Sequence, residues 1–321
     1  MNSKKKVYFA NFNVTFGQNN EPLLDYFESI VYPALTSGLV REYGGSSFTG
    51  QEPDKYFFEN VKLIQTEDGR YALTGLFIHK TIIDILSEHD EEQGIISTDK
   101  HYPSAPYSTF LLFLDNHRCV LVKNQKSSPD IRSFNTTVRH IFDIYIKEYN
   151  RGKAKKDRLP SAFVNIISLP SESGIVESLA HVHKISKLHL KFYPLNGEIA
   201  TIPSCMNALR EQLGSIGSQA GVLSFTAPDN ISNVIEMLKD TEGTVEPVAI
   251  VKYKSGGKGT LTSENFSQNT ELDLNTSTGD IDQDSANIFE GVKQFPELKK
   301  ISEENKSIYS RNLDKIIRFF K

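Results

Sequence analysis

Residues 105–149 constrain the fold of this chain more than any other stretch. An apolar run at 108–114 leads through turn formers into a second, β-branched run at 119–123, a pattern typical of an antiparallel hairpin. After a Ser-Ser-Pro breaker, apolar residues recur at three-to-four spacing from Phe134 to Tyr149, which predicts an amphipathic helix. We expect this helix to pack across the hairpin.

The first half carries further strand and helix signals. Alternation predicts a strand at 6–16, and a continuous apolar face predicts a helix at 21–36. The turn dipeptide Asp68-Gly69 joins two β-rich runs into a second hairpin. A short helix is predicted at 81–89, and the acidic residues that follow it are expected in a solvated loop.

The second half alternates strands and helices before a run of strands and a helical tail. Its predicted strands lie at 162–169, 187–195, 221–226, 247–254, 260–266 and 271–274. Its predicted helices lie at 172–181, 204–213, 229–239 and, with a break at Pro296, 282–321. The last three strands are expected to form a meander.

The predicted fold class is α+β, with two domains that contain mixed or antiparallel sheets, packed helices and a helical C-terminus. A single core stops growing at about 250–300 residues, and this chain has 321. The segment 150–160 is polar and basic, as exposed linkers are. We therefore predict an N-terminal α+β domain at 1–150 and a C-terminal α+β domain with long C-terminal helices at 160–321.

Charge and cysteine content limit the possible partners. The chain has 36 basic and 40 acidic residues, so a nucleic-acid site would have to be a local patch. Cys119 and Cys205 lie among apolar or small neighbours, as reduced thiols of cytoplasmic proteins do. No apolar stretch suits a signal peptide or a membrane span, so we expect a cytoplasmic protein without membrane insertion.

One acidic motif resembles a calcium-binding loop but is incomplete. Asp280, Asp282 and Asp284 have the spacing of its first ligands. Ser285 and Gly291 stand where such a loop needs Gly and a bidentate Glu. Capping of a helix N-terminus is the favoured interpretation of these acids.

Other motifs for metal and phosphate chemistry are incomplete as well. His181 and His183 have no further ligand at a diagnostic spacing. A restriction-type nuclease would need a carboxylate two residues before Lys252, where Ile250 stands. The glycine-rich 255–259 precedes a predicted strand, whereas a P-loop precedes a helix. We predict no catalytic residue, metal or cofactor.

Basic clusters are the strongest functional signal in the sequence. Such clusters neutralise backbone phosphates without reading base sequence. The candidate DNA-binding residues are Arg151, Lys153, Lys155, Lys156, Arg158, Lys187, Lys191, Lys252, Lys254 and Lys258. The alternative, which the sequence supports equally, is that they are ordinary solvated side chains.

Several phrases of the sequence resemble the RexA-like proteins, which are phage-exclusion and abortive-infection factors. They are KISKLHLKFYPLNGEIATIPSCMNALREQLG and PVAIVKYKSGGKGTLTSENF, followed by a long C-terminal helix. The layout is also similar to the DNA-binding subunit of Kiwa-type defence systems. In the first half, DGRYALTGLFIHK and APYSTFLLFLDNHRCVLVKN are similar to the amino-terminal part of related defence proteins.

This resemblance implies a cytoplasmic, dimeric protein that binds DNA in anti-phage defence, without a known enzymatic centre. Two other functions stay open. One is a metal-dependent nuclease toxin that uses Asp280, Asp282, Glu246 or the histidines, and the other is a protein-interaction module that senses a phage component. A second defence-system protein is a further possible partner.

An apolar stripe near the C-terminus predicts self-association. It consists of Ile308, Leu313, Ile316, Ile317 and Phe320. A homodimer through these helices is the simplest outcome. Docking of the stripe within the same chain is the alternative.

Overall fold

The computed structural model describes residues 3–45, 52–197, 204–267 and 269–320. Within them the strands are β1 (Ser3–Phe16), β2 (Glu21–Pro22), β3 (Arg41–Tyr43), β4 (Asp54–Gln65), β5 (Tyr71–Asp90), β6 (Gly94–Ser104), β7 (Tyr107–Phe113), β8 (Arg118–Lys123), β9 (Ala162–Ser168), β10 (Val182–Phe192), β11 (Gly221–Thr226), β12 (Val245–Tyr253), β13 (Lys258–Thr262) and β14 (Asn269–Leu274). The helices are α1 (Tyr32–Leu35), α2 (Ile131–Asn150), α3 (Glu172–Leu179), α4 (Ser204–Ser215), α5 (Ile231–Lys239), α6 (Ser263–Phe266), α7 (Ile281–Val292) and α8 (Glu303–Ile317).

The α+β fold class is confirmed, and the strands form two antiparallel sheets. The larger sheet has the order β14-β1-β8-β7-β5-β4-β3, with β2 and β9 also paired to β1, and β6 to β5. The smaller sheet has the order β11-β10-β12-β13. All strand pairings between described residues are antiparallel.

The central hairpin and its helix are as predicted. Strands β7 and β8 pair from Ser108 opposite Lys123 to Leu112 opposite Cys119. Helix α2 begins after Asp130, whose carboxylate accepts a hydrogen bond from the Ser133 amide at 2.8 Å and so caps the helix. Its apolar stripe is buried in the core of the larger sheet. The 3.6-residue period was sufficient to locate this helix because one of its faces is fully covered.

The predicted helix at 21–36 is helical but irregular. A 3₁₀ turn at Leu23–Tyr26 and a π turn at Phe27–Val31 precede α1. Pro33, at the start of α1, has no amide hydrogen to donate to the preceding turn. The Tyr32 amide bonds instead to the Phe27 carbonyl, which closes the π turn.

The helix predicted at 81–89 is wrong. This segment continues β5 to Asp90, and β6 returns antiparallel to it from Gly94, through part of the predicted loop. The spacing of the apolar residues in this segment resembles the apolar stripe of a helix. Both faces of the hairpin carry exposed side chains, so strict alternation is absent.

The second half of the chain completes the larger sheet. Strand β9 pairs with β1 from Ala162 opposite Phe16 to Ser168 opposite Ala10, and β14 pairs with the start of β1. The predicted meander is therefore wrong in its third strand, and α6 ends the second one early. Because β9 and β14 join β1, the division between the two sheets does not coincide with the segment 150–160.

The C-terminal helices dock on the same chain. Helix α7 covers one face of the larger sheet, where Ile288 and Val292 are fully buried. Helix α8 lies on the other face, where Ile316 is fully buried. Arg311 of α8 pairs with Asp25 at 2.7 Å. Of the predicted stripe, Ile308 and Ile316 are buried within the same chain, whereas Ile317 and Phe320 are 39% and 43% exposed. No helix in the described ranges is both long and apolar enough to span a membrane.

Candidate nucleic-acid interface

The smaller sheet has one covered and one open face. Helices α3, α4, α5 and α6 supply buried side chains to a core on one face only. In β10, Leu188 and Leu190 are buried in this core, whereas Lys187 and Lys191 are exposed on the opposite face. This follows directly from the two-residue period of a strand. The alternation seen in the sequence therefore predicted which side chains are open to solvent.

Strand β12 repeats this arrangement beside β10. Ala249 and Val251 are buried, while Ile250 and Lys252 are exposed. The register places Lys187 opposite Ile250. Side chains that lie directly opposite on paired strands share a face. The lysines of the two strands therefore lie on one surface.

A row of three lysines crosses this face. Lys252 lies directly opposite Lys184 of β10 and Lys258 of β13. Directly opposed residues on paired strands have Cβ atoms about 4.5–5.5 Å apart, and like charges there destabilise the sheet. We call Lys184, Lys252 and Lys258 the lysine row, and with Lys187 and Lys191 they form the open lysine face.

The sequence pattern missed Lys184 because of irregularities in β10. Register shifts between Val182 and Lys184 and between Ile185 and Lys187 interrupt simple alternation. Without the three-dimensional pairing, Lys184 falls on the wrong face of a period-two strand. The one sequence signal for Lys184 was its position three residues before Lys187, as a second basic residue near that strand.

Few carboxylates neutralise the open lysine face. Lys191 lies 4.0 Å from Glu246, whose carboxylate also accepts a hydrogen bond from the Tyr193 hydroxyl at 2.5 Å. Burial, and secondarily Glu246, raise the pKa of Tyr193, which stays a neutral donor. Among described residues, the other four lysines of the face have no carboxylate within 4.0 Å. Five lysines and one glutamate give this face a formal charge of +4, in a chain of net charge −4.

The remaining side chains of this face are small, aliphatic or hydroxylated, apart from the partly exposed imidazole of His189, which lies opposite Ser224. Exposed aliphatic groups are Val222, 59% exposed, and Ile250, 37% exposed. Ser224 and Thr226 of β11 and Thr260 of β13 lie in register with the face. Among its described strand residues the open face carries no Phe, Tyr or Trp. It therefore offers charge and hydroxyl groups, and the partly exposed ring of His189 is the one aromatic group among its described strand residues on which a base could stack.

Lys254 lies away from this group. Its ammonium donates a hydrogen bond to the Ala180 carbonyl at 2.7 Å, at the C-terminal end of α3. A cation there interacts favourably with the helix macrodipole. The structure thus gives Lys254 a local structural partner.

A second basic group, residues 151–158, lies at the end of α2, and we call it the basic loop. Asn150 closes this loop, since its side chain donates to the Leu159 carbonyl at 2.8 Å and accepts from the Leu159 amide at 2.7 Å. Arg158 donates to the Lys153 carbonyl at 3.0 Å. The exposed basic side chains are Arg151, Lys155, Lys156 and Arg158. The segment predicted as a linker is therefore exposed, and the hydrogen bonds between Asn150 and Leu159 hold its two ends together.

Lys153 is less available than its neighbours. It is partly buried, and its ammonium lies 2.9 Å from the centre of the Tyr149 ring. Nearby, a cavity of about 520 Å³ has Asp143, Arg151 and Arg158 in its wall. Burial raises the pKa of Asp143, and electrostatic interactions with Arg139 and His140 partly offset this rise. No hydrogen bond or ion pair between described side chains joins the basic loop to the open lysine face, and we treat them as two separate groups.

The carboxylates considered for a nuclease have other local roles. Asp280 accepts from the Asp282 amide at 2.9 Å and caps α7, as predicted. Asp282 pairs with Lys62 at 2.5 Å, and Asp284 accepts from the Thr278 hydroxyl at 2.7 Å. A search of the described residues finds no group of three or more His, Cys, Asp or Glu that could hold a metal ion. Cys119 is the one cysteine whose side chain is described. It is fully buried, and burial raises the pKa of its thiol.

Comparisons with known proteins identify no relative. The chain matches no protein-family model, and searches of curated proteins and of solved structures found no significant match.

Proposed function

We propose that this protein binds double-stranded DNA without sequence specificity, by placing the phosphate backbone on the open lysine face. The observation that carries the proposal is the lysine row, in which Lys252 lies directly opposite Lys184 on one neighbouring strand and Lys258 on the other. Such a row costs folding free energy in the free protein. A phosphate over the row would offset this repulsion, and each occupied lysine would release a counterion from the DNA.

The dimensions and chemistry of the face favour a duplex over a single strand. Lys187 and Lys191 are four residues apart on one strand, about 13 Å at a rise of ~3.3 Å per residue. This is comparable with the ~12 Å width of the DNA major groove, whose edges carry phosphates. Single-strand binders generally add several aromatic side chains that stack on bases, whereas His189 is the one aromatic ring among the described strand residues of the open face.

The basic loop provides a second contact in this proposal. Arg151, Lys155, Lys156 and Arg158 are exposed to solvent, and arginine can bind a phosphate in a bidentate manner. We assign Lys153 and Lys254 smaller roles, because each is already engaged within the protein.

We place this binding in cytoplasmic anti-phage defence, as exclusion or abortive infection. The support for that setting is the resemblance to RexA-like proteins, together with a basic surface suited to a phage genome or a host duplex.

The proposal is tested by fluorescence anisotropy with two unrelated 20-base-pair duplexes between 50 and 300 mM salt. We expect similar affinities for both duplexes and a log–log salt slope near −4, since about five lysines at ~0.9 each set its upper magnitude. Binding should persist in EDTA, and the DNA should stay intact in Mg²⁺ or Mn²⁺. Metal-dependent cleavage would favour the nuclease alternative instead.

A charge-matched control separates the open face from general electrostatics. Lys4, Lys126 and Lys299 are exposed lysines on other parts of the chain. Replacing these three by Gln should leave affinity within about twofold, whereas the same change in the lysine row should reduce it strongly. Equal losses for both triple variants would contradict the assignment of the site.

A further inference from the structure

A two-stranded arm projects from the larger sheet. It comprises residues 81–104, in which β5 and β6 pair from Thr81 opposite Ser104 to Asp90 opposite Gly94. Every residue of the arm is exposed or partly exposed. In the described ranges, no other strand pairs with either outer edge of the arm.

Several apolar side chains of the arm are exposed to solvent in the single chain. Leu86 and Ile95, near its tip, are 69% and 72% exposed. Ile83 and Tyr102, near its base, are directly opposed and about half exposed. An isolated hairpin is only marginally stable in water, and exposed apolar groups on one mark an interaction surface.

The arm is also strongly acidic. Its six carboxylates and one lysine give a formal charge of −5. Lys100 already pairs with Glu88 at 2.8 Å. Glu91 and Glu92 form the exposed turn at the tip and have no ion-pair partner among the described residues. The arm therefore presents free negative charge next to aliphatic surface.

The open lysine face is complementary to the arm in both respects. It carries a charge of +4, and Val222 and Ile250 are its exposed aliphatic groups. The hydrogen bonds and ion pairs of the arm's side chains lie within the arm or join it to β4, and none among the described residues reaches this face. Pairing of two arms with each other would bring together two surfaces of charge −5. The face of another copy is thus the better-matched occupant.

We propose that the arm of one copy docks on the open lysine face of a second copy. A two-fold arrangement makes this contact twice, so that a closed homodimer results. The docked arm and DNA then compete for the same lysines. The competition rests on the proposed function, whereas the docking does not.

Sedimentation velocity on the full chain at 50 and 500 mM salt tests the docking. The arm variant E91K/E92K/D99K, which changes the formal charge of the arm from −5 to +1, and the face variant K184E/K252E/K258E, which changes that of the face from +4 to −2, should each raise the dimer dissociation constant at least tenfold. Combining them should restore the dimer, because opposite charges then meet again. Since Glu91, Glu92 and Asp99 are exposed, unfolding is not expected, and circular dichroism checks this.

Each outcome decides between the two proposals. A wild-type dimer that weakens with salt, is lost in either variant and is restored in the combination supports docking. A wild-type monomer at low salt, or a dimer indifferent to both variants, overturns it. A wild-type dimer whose arm variant, with its lysine face free, does not bind a 20-base-pair duplex would leave docking in place and refute DNA binding. A monomer that binds the duplex would do the reverse.

Discussion

Replacing Lys252 by Gln is expected to weaken DNA binding and at the same time stabilise the fold. Lys252 is the middle member of the lysine row, opposite both Lys184 and Lys258. A like-charge pair directly opposed on neighbouring strands costs ~0.2–1 kcal/mol. The variant removes two such pairs, so the free energy of unfolding should rise by about 0.5–1.5 kcal/mol and Tm by roughly 1–3 °C.

The same substitution removes one phosphate contact. The log–log salt slope of binding should fall in magnitude by about 0.9, and affinity near 0.1 M salt by about eightfold. Differential scanning calorimetry measures the first effect and anisotropy the second. Lys126→Gln, which removes an equal charge from an exposed turn, is the matched control. A destabilised Lys252→Gln, or one whose affinity is unchanged, would refute the reasoning.

Three further predictions concern other parts of the molecule. Ile316→Ala should cost about 2–4 kcal/mol in urea unfolding without changing the solution mass, because Ile316 is fully buried in its own chain; a change in mass would restore α8 as an interface. Arg70→Ala should cost about 3 kcal/mol, since it leaves Asp115, 2.6 Å away and 8% exposed, without its cation; a loss under 1 kcal/mol would contradict this. The hydrogen bond that the His101 ring donates to the Asp84 carboxylate raises the pKa of His101, so an NMR titration should find that pKa above ~6.5 and Asp84→Asn should lower it. The stabilisation from this pair is complete below pH ~6.5 and is lost as the pH rises through the raised pKa; equal pKa values in both proteins would rule the pair out.

The sequence was most informative where one face of an element is buried. Helix α2 and the alternation of β10 were predicted correctly, because burial imposes a period of 3.6 or 2 on the apolar residues. The residues of the arm do not show either period. Its two faces are both exposed, so nothing forces its isoleucines into alternation, and their spacing imitates a helix.

Long-range pairing was beyond local reasoning. The segment Asn269–Leu274 has an ordinary strand pattern, yet its partner is Ser3–Tyr8 at the other end of the chain. The lysine row has the same origin, since Lys184, Lys252 and Lys258 meet only through sheet register. Four of the ten predicted binding residues, Lys187, Lys191, Lys252 and Lys258, do share one face. Their shared orientation could be read from strand alternation, but their proximity could not.

Lysine footprinting by mass spectrometry tests the central claim most directly. The protein is treated briefly with an amine-acetylating reagent, with and without a saturating 20-base-pair duplex, in parallel at 50 and 500 mM salt. DNA should protect Lys184, Lys187, Lys252 and Lys258 at least fivefold at low salt and not at high salt, while Lys4, Lys126 and Lys299 stay equally reactive. Unchanged reactivity of the open lysine face, with protection of the control lysines or of the basic loop alone, would contradict the account.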